Sequence, residues 1–470
     1  MRKTKIICTL GPSSSNEETL TRMCLAGMNV ARLNFSHGTH ETHKETIDLI
    51  KKVREKLGLP IAIMLDTKGP EYRIQTFENN SVTLRDGDNF TFTTEDVEGD
   101  EQRVSVSYKH LTEDLEVGDA ILVNNGLVIF EVVALTATEA RCKVIAGGEL
   151  SNRKSMSFPG KVLRQKFLSD QDRSDILFGI ENDIDYVAAS FVSRKQDILD
   201  IKQLMDENGG ENIGIIAKIE NRSGVDNIIE ICDECEGIMI ARGDLGVEIP
   251  FKELPAIQKH LTSVCRILGK RVITATEMLE SMIKNPRPTR AEISDVANAV
   301  YDNTSAVMLS GETAMGKYPV KTVETMASIC EETEKNIDYN EKFLHTDFTI
   351  KSNMDAVSHA ACNMAIGVNA KAISVCSISG KTVRMLSRFR PAIDIIGFTT
   401  TEKAWRKLAL SWGVRPMLCR EFPSPEVTFF YAAQETKSLL SLGEGDNIII
   451  VGGTTSGKSG QTNSIRLESF

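Results

Sequence analysis

Eight short apolar runs spaced through the first 340 residues limit this chain more than any other feature of its sequence. They are Lys5–Leu10, Val30–Phe35, Ile61–Asp66, Tyr186–Phe191, Gly214–Ile219, Gly237–Arg242, Arg271–Thr276 and Ala306–Ser310. Each is rich in β-branched residues and nearly continuous rather than alternating, the pattern of parallel strands buried on both faces. Helical patterns lie between most of them. Glu17–Gly27 places Leu20, Met23 and Cys24, with Met28 just beyond, at i, i+3, i+4 and i+8. Thr289-Arg290-Ala291-Glu292 reads as a capping box that opens a helix toward Tyr301. Eight strands with intervening helices predict an α/β fold built on a closed (β/α)8 barrel, the TIM-barrel count.

One gap breaks the rhythm. Between the third and fourth runs, from Pro70 to Leu168, lie Phe90–Thr94, Arg103–Tyr108, Ala120–Asn124, Leu127–Ala134 and Ala140–Ile145, several of them alternating. Turn signals split them at Asp86-Gly87-Asp88, Glu98-Gly99-Asp100, Val117-Gly118-Asp119, Asn125-Gly126 and Gly147-Gly148. This predicts a small β-barrel inserted into a loop of the larger one. After Asp338–Ser352, a polar stretch without clear period, helix and strand patterns alternate from Met354 to Val451, with Ile465–Leu467 as a last edge strand. That predicts an open α/β sheet. The expected layout is a barrel in two parts, residues 1–69 and 169–345, an inserted lid at 70–168, and a C-terminal domain at 346–470.

Composition narrows the class. Fifty-five basic against 65 acidic residues give a formal charge of −10, which argues against a general nucleic-acid binder. No apolar run approaches the ~20 residues that span a bilayer, and the first residues lack a signal-peptide h-region. Ten cysteines in 470 residues are too few for a disulfide scaffold, and Cys8, Cys142 and Cys376 sit in apolar strand-like runs. The expectation is a reducing cytoplasm, with no nucleic-acid or membrane partner.

In such barrels the active site lies at the C-terminal ends of the strands. Those ends here are Arg32-Leu33-Asn34-Phe35-Ser36-His37, Asp66-Thr67-Lys68-Gly69-Pro70-Glu71, Lys218-Ile219-Glu220-Asn221, Arg242-Gly243-Asp244, Thr276-Glu277 and Ser310-Gly311-Glu312. Glu220 and Asp244, from adjacent strands, can offer two hard carboxylates to Mg2+. Arg32, Arg73 and Lys218 supply positive charge suited to a phosphoryl group. The N–H groups of Gly243 and Asp244 suit a carboxylate if a helix opens there. Asn34, Ser36, Asp66 and Thr67 are small oxygen donors, fit for a monovalent cation or for structure. Arg32 has no partner near it in sequence, which favours a ligand role. Taken singly, each acidic strand end also reads as a helix cap or ion-pair partner. Together they predict a Mg2+-dependent enzyme acting on a small, phosphorylated anion.

These strings, with Thr4–Pro12, Ala241–Pro250, Ile273–Glu292 and Asp295–Ala299, resemble the pyruvate kinase family over essentially the whole chain, most weakly in the C-terminal third. The resemblance implies transfer of the phosphoryl group of phosphoenolpyruvate to ADP, giving pyruvate and ATP, the last step of glycolysis. It implies that Arg32 and Lys218 meet the phosphoryl group. Gly243, Asp244 and Thr276 bind the substrate carboxylate, and Ser310 lies near a proton relay. Glu220 and Asp244 hold Mg2+ or Mn2+, and Asn34, Ser36, Asp66 and Thr67 hold K+. A Glu at the position of Glu71 goes with K+ dependence. Asn34, His37, Arg73 and Arg194 fall where the family meets nucleotide. Either Arg194 or Lys195 fills the family's basic position after Ser190-Phe191, and Glu277 stands where Gln is usual. A homotetramer is also implied.

Gly452-Gly453-Thr454-Thr455-Ser456-Gly457-Lys458-Ser459 matches a P-loop string, but too little chain follows for its helix and its Mg2+-holding Asp. With Ser377, Ser379, Gly380, Lys381 and Thr382 it instead resembles the family's effector site, where a sugar phosphate acts. Cys232 and Cys235 form a lone C-x-x-C, a weak metal signal. Of His37, His40 and His43 only the last two can share a helix face, which disfavours a metal site. Trp405 and Trp412 read as core or subunit contacts. Two other classes remain open: a Mg2+-dependent barrel lyase or aldolase acting on a keto acid, and a regulatory binder without catalysis.

Overall fold

The computed structural model describes residues 2–161, 163–164, 166–453 and 462–470. The eight runs form eight parallel strands: Lys5–Thr9, Val30–Asn34, Ala62–Asp66, Tyr186–Ala189, Gly214–Ile219, Gly237–Ala241, Arg271–Ala275 and Ala306–Leu309. They close in sequence order, the eighth pairing back to the first with Lys5 opposite Ala306.

The continuous apolar character follows from two buried faces. Ile7, Val30, Ala62, Met64, Tyr186, Ala188, Ile216, Met239 and Ile273 fill the barrel interior. Their neighbours Ile6, Cys8, Ala31, Leu33, Ile63, Leu65, Val187 and Ala217 pack outward under the helices. Leu410, from the C-terminal domain, joins the interior cluster, and Tyr186 donates from its hydroxyl to the Lys407 carbonyl at 2.6 Å. The capping box at Thr289 and Glu292 is present, and Asn16 caps the helix Glu17–Ala26.

The inserted unit is richer in strands than its sequence suggests. Tyr72–Arg73, Ser81–Leu84, Gly148–Ser151 and Ser155–Ser157 are strands in addition to the expected ones, and Leu111–Asp114 is a helical turn. Gly148 is therefore not part of a turn but opens a strand paired with Ser81–Leu84. The seven-stranded sheet closes on itself. Its edge strands meet where Ile74 bridges Val106, and Gln75 N donates to Ser105 O at 2.8 Å. Phe90, Phe92 and Phe130 fill its interior.

The stretch 338–352, read from sequence as lacking a period, contains a helix, Tyr339–Leu344, capped by Asp338. Beyond it, Ala372–Cys376, Asp394–Thr399, Val414–Leu418 and Asn447–Gly452 are parallel strands, and Ser464–Ser469 is an antiparallel edge. Arg406 and Lys407 dock this sheet's helix against the barrel, each 2.8 Å from a carboxylate oxygen, of Asp185 and Glu236 respectively.

Candidate active site

Side chains alternate along a strand, so residues two and four beyond an interior position point the same way. From Val30 this gives Arg32, from Met64 it gives Asp66, from Ala188 Ser190, and from Ile216 Lys218 and Glu220. These residues form one buried network above the last apolar layer. Arg32 Nε donates to Asp66 Oδ2 at 2.6 Å, and its other arm reaches Thr9 Oγ1 at 2.8 Å. Arg32 thus has partners, supplied by neighbouring strands rather than by nearby sequence. Lys218 Nζ lies 3.0 Å from both Asp66 Oδ1 and Glu220 Oε1, and 2.6 Å from Ser190 Oγ. Glu220 Oε2 accepts from Phe191 N at 2.6 Å.

The electrostatics follow from burial and pairing. Burial alone would raise the Asp66 carboxyl, but Arg32 and Lys218 outweigh it and hold it below the usual range. Lys218 is likewise disfavoured by burial, yet Asp66 and Glu220 outweigh that and keep it charged. Glu220 is pushed up to about 7, chiefly by burial and further by Asp244, against the pull of Lys218. The Asp244 charge that raises Glu220 makes the two a donor set whose repulsion a divalent cation would relieve. Among the described residues no group of three or more His, Cys, Asp or Glu could hold a metal. The fit is to a two-carboxylate site completed by ligand oxygens and water, which suits Mg2+.

The sixth strand runs directly into the helix Arg242–Glu248, so Gly243 and Asp244 do open a helix. Gly243 N is engaged, donating to Thr276 Oγ1 at 2.9 Å. Thr276 and Glu277 hold φ of 68° and 54°, and Phe191 holds 58°, left-handed values that cost a side-chain-bearing residue energy and gather at functional sites. Buried Arg242 braces that turn, donating to Thr276 O at 2.6 Å and pairing with Asp295 at 2.7 Å. Ser310 Oγ is buried without a protein partner. Glu312 turns inward and caps backbone, accepting from Ser310 N and Leu279 N.

Asn34 and Asp66 are register neighbours. Asn34 Oδ1 accepts from Ser36 N at 3.2 Å, and Thr67 Oγ1 from Ser190 N at 3.1 Å. A cleft of about 480 Å³ opens between the mouth and the inserted unit, with Glu71, Arg73, Lys154, Arg194, Asn221 and Asp244 among its lining. Arg73 pairs with Glu71. Arg194 lines the cleft, whereas Lys195 turns away to Glu234 at 2.8 Å. Asn34 and His37 are not among the lining residues.

Sequence reasoning assigned no role to Thr9, Ser190 or Arg242 and missed the strained turn. Counting in twos from the barrel interior would have found the first two.

The remaining motifs lie away from the barrel network. His40 Nε2 bonds Asp175 at 2.6 Å, and His43 Nε2 bonds the His37 carbonyl at 2.8 Å. Cys232 and Cys235 are buried free thiols. Trp412 is core, edge-to-face with Tyr339 at 5.1 Å between ring centroids. Gly380 begins the helix Lys381–Ser387, and Thr382 Oγ1 bonds Thr462 Oγ1 at 2.5 Å. Of the P-loop string, Thr454–Ser459 lies outside the described residues.

Comparison with known proteins decides the family. The family model for the pyruvate kinase barrel domain matches residues 1–323, and that for the pyruvate kinase alpha/beta domain matches 355–468. The chain belongs to the pyruvate kinase family. It is 43% identical to the pyruvate kinase of Clostridium perfringens over 472 aligned positions, covering all of both chains. It is 45% identical to that of Staphylococcus haemolyticus, over 99% of this chain and 80% of the relative. A crystal structure of a pyruvate kinase from Cryptosporidium parvum superimposes with a TM-score of 0.95 at 37% identity, over all of this chain and 96% of the other. The activity is that of a pyruvate kinase, a phosphotransferase. No helix among the described residues is long and apolar enough to cross a membrane.

Proposed function

We propose that phosphoenolpyruvate binds over the Arg32–Asp66–Lys218–Glu220 network and passes its phosphoryl group to ADP held in the adjoining cleft. The observation that carries this is the network itself: two cations fixed by buried carboxylates at the barrel mouth. Because Asp66 and Glu220 hold them, Arg32 and Lys218 meet the transferring group without reorganising, which is how electrostatic catalysis works best. The substrate carboxylate accepts from the N–H groups of Gly243 and Asp244. The Thr276 hydroxyl, turned from the Ala275 carbonyl that it now donates to at 2.6 Å, then donates to the substrate carboxylate as well.

Mg2+ or Mn2+ on Glu220 and Asp244 would neutralise charge on the phosphoryl and enolate oxygens. K+ among Asn34, Ser36, Asp66 and Thr67 would add a fixed charge nearby. Arg73 and Arg194 face the nucleotide phosphates across the cleft, and the family resemblance adds Asn34 and His37 to the nucleotide site. Ser310, with its unpartnered hydroxyl, joins a water chain that protonates the enolate. Residues 70–168 act as a lid between the two barrel segments, excluding water so that the phosphoryl group meets ADP.

Glu220→Gln and Asp244→Asn test the cation site. Each should weaken Mn2+ binding, read by electron paramagnetic resonance, and lower turnover. Unchanged Mn2+ binding in both would remove the assignment.

The enzyme is proposed to be a cytoplasmic homotetramer. The turn Ser377–Thr382 is proposed to take a sugar phosphate as effector. Isothermal titration showing no heat with any sugar phosphate or nucleoside monophosphate would refute the effector site.

A further inference from the structure

We infer that Asp172 is a positioning residue for phosphoryl transfer, one buried carboxylate that pins together the two chain segments on which the inserted β unit swings. The inference rests on the lid reading given above. Asp172 is 1% exposed and sits in the first turn of the helix Asp170–Glu181. Ser169 caps that helix by accepting from Asp172 N. In a capping box the third helical residue returns the favour to the cap's own N–H. Here Asp172 does something else. Its Oδ2 accepts from the Ser169 hydroxyl at 2.7 Å, and its Oδ1 accepts from Gly69 N at 3.0 Å, 103 residues away.

Those two contacts are the two roots of the β unit. Gly69 is the last residue before Pro70 on the outgoing segment, and Ser169 ends the returning one. Gly69 has φ +73, and a Cβ there would lie 2.8 Å from Ser190 Cβ and 2.9 Å from Phe191 Cδ2. It is therefore wedged against the residues that touch Lys218 and Glu220. Thr67 is held on the same side, its carbonyl accepting from Ser190 Oγ at 2.6 Å. Pro70 has no N–H to donate, so Gly69 N is the last backbone donor on the outgoing segment before Glu71, which pairs back to Lys68 at 3.4 Å. Asp172 thus sets the point about which Glu71 and Arg73 move relative to the barrel mouth. Loss of that pin misplaces the nucleotide arm and lets water reach the transferring group.

The misdirected reaction balances simply. Water attacks phosphorus in place of the ADP oxygen, the bond from phosphorus to the enolpyruvate oxygen breaks, and orthophosphate leaves. The enolate takes a proton and becomes pyruvate. Pyruvate is then made without ATP.

The test compares Asp172→Ala, Asp172→Asn and Ser169→Ala in the full chain with Mg2+ and K+, counting pyruvate and ATP in the same reaction. Wild type should give one ATP per pyruvate. Asp172→Ala should lower kcat by about tenfold or more, in keeping with the cost of small misplacements, and pyruvate should exceed ATP. Asp172→Asn keeps an acceptor for Gly69 N and a donor for Ser169 Oγ, and should restore the one-to-one ratio. If Asp172→Ala does not fold, Ser169→Ala cuts the returning arm alone and should show the same excess of pyruvate, smaller in size. A role confined to helix capping would lower stability in these variants but leave the ratio at one, and that result overturns the proposal. Trypsin cutting after Lys166 in wild type separates the two readings. If phosphoenolpyruvate with ADP does not slow it, the lid reading falls and takes this proposal with it. If it does and the ratio stays at one in the variants, Asp172 alone is refuted.

Discussion

Lys218 Nζ lies 3.0 Å from Asp66 Oδ1, and both side chains are buried at the barrel mouth. On the role proposed for Lys218 the pair serves catalysis as well as stability, so Lys218→Met should affect both. Turnover should fall by orders of magnitude because the cation facing the phosphoryl group is gone. Removing one partner of a buried pair also costs about 3 kcal/mol, although Arg32 still pairs with Asp66. Steady-state kinetics with a thermal melt check this. Turnover near wild type would refute the role of Lys218, and an unchanged melt would refute the structural part.

Arg194 and Lys195 are neighbours with opposite fates, and substitution should separate them. Arg194 lines the cleft while pairing with Asp197 at 3.3 Å. Arg194→Ala should raise KM for ADP and leave KM for phosphoenolpyruvate nearly unchanged. Lys195 is tied to Glu234 on the surface, where such pairs contribute at most about 1 kcal/mol. Lys195→Ala should change neither KM by more than about twofold, about 0.4 kcal/mol. The reverse pattern would exchange the two assignments.

Much of this was legible in the sequence, for physical reasons. The barrel strands are buried on both faces, so each prints as a continuous apolar run that ends where the polar mouth begins. The strands Tyr72–Arg73, Gly148–Ser151 and Ser155–Ser157 are only two to four residues long and half polar, which leaves too little pattern to read. At the site, charged strand ends announced themselves. Thr9 and Ser190 are single hydroxyls at the ends of apolar runs, and only the barrel's closure brings them to Arg32 and Lys218. The brace from Arg242 to the left-handed Thr276 turn joins residues 34 apart, a contact that no local pattern encodes.

The K+ reading predicts that replacing K+ with a large organic cation lowers turnover by roughly tenfold or more, about 1.4 kcal/mol of barrier. Glu71 lines the cleft and pairs with Arg73 and, at 3.4 Å, with Lys68. Its negative charge favours a cation nearby. Glu71→Gln should therefore raise the K+ concentration needed for half activation. Full activity without any monovalent cation would remove the K+ site from Asn34, Ser36, Asp66 and Thr67.

Lys5 predicts a pH dependence of stability far from the active site. It is buried at the base of the barrel and donates to the Val414 carbonyl at 2.7 Å. Burial, with Arg2 and Lys3 nearby, lowers its ammonium to about 7, against the weaker opposing pull of Glu334 and Asp394. The unfolded chain keeps an ordinary lysine near 10.5. Between those values the unfolded state binds more protons than the folded one, so stability rises with pH across that window. Below about pH 7 both states are protonated, and the full cost of the buried charge is paid. The slope from this group is at most about 1.4 kcal/mol per pH unit. Lys5→Met removes the titration and leaves other alkaline effects in place. Denaturant unfolding of both proteins from pH 6.5 to 9.5 reads the difference: wild type should gain stability relative to the variant as pH rises. Parallel curves would mean that Lys5 remains charged inside the fold, held by Glu334 and Asp394 more strongly than its burial allows.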